Sequence, residues 1–182
     1  DTLKWAERII FSEKVNTNLL EKCEELYDAV LTWTEERKLS VSQKLQKMGE
    51  HLLDFHTQYV AIVSLSGQKK QKFLNSFLNE SFLLQESLTP SVTLYKNNNH
   101  LALKEITNTG EREITDVEEY MKLAKTKVSK ELFFEVSLPN ELLRTYSLSI
   151  IDLPDLSILH PVNLDDYLNM ADALLFILHS DV

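Results

Sequence analysis

The sequence predicts an α/β fold with a mostly parallel sheet, preceded by an amphipathic helical segment. Three observations carry that expectation. Up to about His56 the apolar residues recur at the three-and-four spacing of helix faces. At Tyr59 the period changes, and short runs rich in β-branched residues begin. From there extended runs alternate with helical ones, the order that builds a sheet with helices packed on it. Two segments follow: a helical, bundle-like one over 1–57 and an α/β one over 58–182.

In the first segment, Leu19, Leu20, Cys23, Leu26, Tyr27, Val30, Leu31 and Trp33 form one apolar helix face. Glu35 to Leu39 is charged and predicts a turn. A second stripe at Val41, Leu45, Met48, Leu52 and Phe55 predicts a second helix, with Ser40 or Ser42 as its cap. Two such helices need a surface to pack against.

In the second segment, Tyr59 to Val63 reads as a buried strand. Ser64 to Lys72 is a polar break, and Phe73 to Leu78 returns to helical spacing. Ser91 to Tyr95 and Leu101 to Ile106 read as two strands of a hairpin, with Asn97, Asn98 and Asn99 at its tip. Asp116 to Lys127 predicts a surface helix. Leu132 to Val136 and Tyr146 to Ile151 predict strands joined through Pro139. Leu164 to Met170 predicts a short helix, and Ala173 to Leu178 a last buried strand. There is no internal repeat and no low-complexity tract.

Composition narrows the function. Hydrophobic residues make up 43% of the 182, enough to bury a core, and the formal net charge is −9. That balance argues against non-specific nucleic-acid binding by the chain as a whole, because neutralising phosphates needs an excess of Lys and Arg. Cys23 is the one cysteine, so no internal disulfide forms; its place on a helix stripe predicts a small buried hydrophobe. With no charged-then-apolar leader, the expectation is a cytoplasmic protein. The longest apolar stretch, Ala173 to Leu178, is far below the roughly 20 residues that span a bilayer, so any membrane contact is expected to be peripheral. His51 and His56 are five apart, which does not align two metal ligands on one helix face; no metal site is expected.

Four segments in order carry a family resemblance. Val60 to Leu78 (VAIVSLSGQKKQKFLNSFL) resembles the strand, phosphate loop and helix of dynamin-like GTPases. Leu84 to Thr93 (LQESLTPSVT) resembles their first switch, with Thr89 beside Pro90. Phe133 to Leu156 (FFEVSLPNELLRTYSLSIIDLPDL) resembles the strand, Pro-containing link and D-x-P-G segment. Ala171 to Leu178 (ADALLFIL) resembles the strand that follows. The bacterial dynamin-like and mitofusin-type branches are most similar, because helices precede their GTPase domain in a neck bundle. The resemblance covers about Tyr59 to Val182 and implies a P-loop GTPase-like sheet, incomplete here because the guanine-specificity motif would lie beyond Val182.

Position by position, the resemblance implies a degenerate nucleotide site made of Ser64, Gly67, Gln68, Lys69, Lys70, Gln71, Thr89, Asp152 and Asp155. In an intact loop, glycines let backbone amides wrap the phosphates, a lysine reaches the β and γ groups, and a hydroxyl holds Mg²⁺. Here Ser64 and Lys69 stand at the two glycine positions and Gln71 at the Mg²⁺ hydroxyl. Lys70 keeps the lysine position, Thr89 the switch threonine and Asp152 the acid of D-x-P-G. Asp155 replaces the glycine of that motif, and a carboxylate near a triphosphate is repulsive by about 1–4 kcal/mol at ~4 Å.

Each change disfavours Mg-GTP, which implies a dynamin-like pseudo-GTPase: an assembly module of a membrane-remodelling protein, with no catalytic residues. Its expected partners are the rest of its own chain or another dynamin-like subunit. No cofactor is expected beyond weak GTP or GDP binding, for which Lys69, Lys70 and Lys72 at a helix start leave room. Two alternatives are a divergent GTPase completed by a partner's groups, and a P-loop-fold scaffold unrelated to membranes.

Overall fold

The computed structural model describes residues 19, 21–41, 46, 49–50, 53–54, 56–65, 67–79, 91–126, 133–156 and 167–178, with the backbone alone at 67–69. The chain divides into two compact units, Asp1–Asp54 and Phe55–Val182.

In the first unit a helix runs over residues 21–36 (α1) and stops where the sequence turns charged. Lys38 takes a left-handed backbone (φ 54°), and the amide of Leu39 donates to the carbonyl of Thr34 at 2.9 Å, closing the helix end. Tyr27 ties α1 to the following segment: its hydroxyl donates to the carbonyl of Gln46 at 2.9 Å. Gly49 lies so close that a Cβ there would come within 2.4–2.7 Å of the Tyr27 ring. Of the expected second stripe, only Val41 lies within the described residues. Cys23 is exposed rather than buried. Helical periodicity marks a face of α1 without showing which part of it is covered.

The second unit is built on one seven-stranded sheet in the order β4-β3-β5-β2-β6-β1-β7. Its strands are β1 (Gln58–Ser64), β2 (Val92–Asn97), β3 (Ala102–Thr107), β4 (Gly110–Ile114), β5 (Phe133–Leu138), β6 (Leu148–Asp152) and β7 (Ala173–Ile177). Its helices are α2 (Gly67–Leu78), α3 (Val117–Thr126) and the short α4 (Glu141–Thr145).

The sheet is mixed, not mostly parallel. Strand β1 runs parallel to β6 and β7, and β2 parallel to β5, while β2–β6, β3–β4 and β3–β5 are antiparallel. The physical reason lies in the connections: Asn108 and Thr109 alone link β3 to β4, and so short a link can join only antiparallel strands. The expected hairpin between β2 and β3 does not form either. Strand β5 inserts between them, pairing Val92 with Phe133 on one side and Ile106 with Phe133 on the other.

Alternation along each strand feeds two cores. On one face, Ile62, Tyr95, Phe134, Val136 and Ile150 pack with Leu74 and Leu78 of α2, Tyr120 and Ala124 of α3, and Leu143 of α4. On the other, Tyr59, Ala61, Val63, Leu94 and Ile151 pack with Tyr167, and Leu168 and Met170 lie against them. Asn140 joins two helix ends: it caps α4 by accepting from the amide of Leu143 at 2.9 Å and donates to the carbonyl of Leu78 at 3.0 Å.

The last strand is not buried as expected. Leu174, Leu175 and Phe176 of β7 are all exposed, because β7 is an edge strand. Of the helix expected over Leu164 to Met170, residues 167–170 are described: Tyr167 and Leu168 are helical, and Asn169 and Met170 form a turn. No helix among the described residues is long and apolar enough to cross a membrane.

Candidate functional site

The candidate site forms where β1 and β6 end side by side. The two strands are parallel, with Ile62 beside Asp152, so their C-terminal ends emerge together. The chain leaving β6 stays pinned to β1. The amide of Leu153 donates to the carbonyl of Ile62, and that of Leu156 to the carbonyl of Ser64, both at 3.1 Å. This fixes Asp152 and Asp155 beside the start of α2, where Lys70 lies in the first turn.

Lys70 is buried, with a side chain 3% exposed. Its ammonium sits 2.8 Å from Oδ1 of Asp152 and 3.6 Å from Oδ1 of Asp155, and it donates to the carbonyl of Leu153. The same Asp155 oxygen accepts a hydrogen bond from the Ser64 hydroxyl at 2.7 Å. Ser64, Asp152 and Asp155 are themselves buried. A buried ammonium needs a counter-charge and hydrogen-bond acceptors; here the protein supplies two carboxylates and a carbonyl from its own β6 loop.

Burial raises the Asp152 carboxyl above its ordinary value; Lys70 pulls it back down, and Asp155 adds to the rise. Behind Asp152 lies a polar patch that sequence reasoning missed. Thr93 of β2 pairs with Asp152 across the sheet, and Tyr95 and Tyr120 are buried beside it. Burial pushes the Tyr120 hydroxyl up to about 12, with Thr93 and Tyr95 pulling against the rise and Asp152 adding to it. Burial also raises Tyr95 well above its ordinary value, and Tyr120 and Asp152 add to that. That Ser91 to Tyr95 is extended was readable from sequence; that Thr93 and Tyr95 lie beside the end of β6 was not.

Of the other residues the sequence singled out, Gly67 opens α2, and Gln68 and Lys69 follow it in the first turn. Gln71 comes next in α2 and is half-buried. Thr89 lies outside the described residues. The structure thus brings together Ser64, Lys70, Asp152 and Asp155. Among the described residues no group of three or more His, Cys, Asp or Glu side chains could hold a metal ion.

No protein-family model matches the chain, and no curated protein does. Solved structures do. Two of them, both of an oligomerised bacterial dynamin pair described as providing a mechanism for the long-range sensing and tethering of membranes, are 15% identical to this chain. Each covers 86% of this chain, with TM-scores of 0.51 and 0.48. The chain spans 30% of the length of those bacterial dynamins. At such identity the likeness at 0.51 shows a shared fold alone, an α/β fold with a mixed sheet.

Proposed function

We propose that residues 58–182 are part of a dynamin-like pseudo-GTPase domain that serves as an interaction or assembly module and does not hydrolyse GTP. One observation carries this reading: the ammonium of Lys70, the charge that a phosphate loop would offer to the β and γ groups, is neutralised by Asp152 and Asp155. To meet a phosphate, Lys70 must first leave both carboxylates, and Asp155 would stay behind as a repelling charge. Gln71 offers no hydroxyl for Mg²⁺, and Ser64 carries a side chain where the resemblance places a glycine. The oligomerisation and membrane tethering described for the bacterial dynamin pair support a role for this domain as a protein–protein element of a membrane-associated assembly.

Titration of the full-length protein with a fluorescent GTP analogue, with and without Mg²⁺, tests the reading. The expected result is no Mg²⁺-dependent binding and no turnover. Micromolar, Mg²⁺-dependent binding accompanied by turnover would overturn it.

A further inference from the structure

Two donors converge on one oxygen of Asp155. The Ser64 hydroxyl, at the end of β1, donates to its Oδ1 at 2.7 Å, and the Lys70 ammonium lies 3.6 Å from the same atom. Lys70 stands in the first turn of α2, a twelve-residue helix with no acidic residue in that turn. A hydroxyl, an ammonium and a helix start with unspent amides make a place for an anion. The anion seated there belongs to the protein itself, and it fits only in part. Its other oxygen, Oδ2, is buried and accepts no hydrogen bond among the described residues. Asp152 lies nearer to Lys70, at 2.8 Å, so the buried cation keeps a counter-charge when the Asp155 carboxylate is taken away.

We propose that Asp155 is a tethered ligand: its carboxylate fills an anion site that takes a small oxyanion of the phosphate class once that side chain is gone. The proposal rests on the reading of a silent phosphate loop and assigns the block to one side chain. It also gives Ser64 a donor's part in holding whichever anion is present. The backbone around Asp155 is fixed without the carboxylate, because the amides of Leu153 and Leu156 donate to the carbonyls of Ile62 and Ser64. Asp155 does not have the left-handed backbone seen at Lys38, Asn79 and Ser147, so alanine fits there without strain. Phosphate is close in size to the lost CH₂–COO⁻ group, and it brings further oxygens where the carboxylate leaves donors unmet.

Calorimetric titration of the full-length protein with inorganic phosphate, in a metal-free chloride buffer, tests the assignment. Asp155→Ala should bind phosphate at least about tenfold more tightly than the wild type, a difference of ~1.4 kcal/mol. Asp155→Asn keeps the shape without the charge; it should show a smaller gain, and it decides the matter if the alanine variant does not fold. Adding Ser64→Ala should remove most of the gain, because the hydroxyl is one of the two side-chain donors. A variant folded by circular dichroism that binds phosphate no more tightly than the wild type would overturn the proposal. So would a gain that Ser64→Ala leaves intact, since the phosphate would then sit elsewhere. The pseudo-GTPase reading falls separately, on Mg-GTP turnover by the wild type, because neither metal nor nucleotide enters this comparison.

Discussion

Two lysines in the second unit sit about as close to a carboxylate as each other, yet their surroundings differ. Lys104 lies 3.1 Å from Oε1 of Glu111 across β3 and β4, with side chains 26% and 39% exposed. Lys70 lies 2.8 Å from Oδ1 of Asp152, and both are buried. In water the first pair gains little, because solvent screens the charges and holding two long side chains costs entropy. The second has lost its water, so each charge depends on the other. The comparison teaches that breaking the cluster at the end of β6 costs the fold more than breaking the surface pair does.

Removing each lysine breaks that comparison most sharply. Lys70→Met leaves Asp152 and Asp155 buried without their cation and should cost about 3–5 kcal/mol in urea unfolding. An intermediate effect should come from pH. Because burial raises Asp152, ionising it costs the folded state more than the unfolded one. Its contribution is therefore fully present below the ordinary value of 3.8 and is lost as pH rises through the higher folded value. Unfolding curves across acid to neutral pH should show the wild type losing stability relative to Asp152→Asn as pH rises, and a gain would mean that Lys70 outweighs burial. The smallest effect belongs to Lys104→Met, expected at under ~1 kcal/mol in the same urea assay.

The sequence made part of this legible. The β-branched residues of β1 and β2 located those strands, because burial on both faces favours such residues. Strand β4 escaped notice, since Gly110 to Ile114 holds three charged residues and one large apolar one. The false β2–β3 hairpin shows the limit of local reasoning: adjacency in sequence suggested a partner, and β5, reached only after α3, took the place instead. Much the same holds at the site. Ser64 and Asp155 each read as a lost glycine, but they are 91 residues apart, and that they hydrogen-bond to each other is visible only in three dimensions. Their pairing turns two separate departures from the family pattern into one arrangement that also reaches Lys70. On α1 the periodicity displayed the apolar arc, while the contacts of Tyr27 with Gln46 and Gly49 were visible only in three dimensions.

The central claim is that Lys70 is committed to the protein's own carboxylates. The most direct measurement of it is the fluorescent GTP-analogue titration of the full-length protein, run with Mg²⁺ and again with Mg²⁺ removed. The account predicts two superimposable curves without saturation and no released phosphate. A saturable micromolar curve that appears only with Mg²⁺, together with phosphate release, would contradict it.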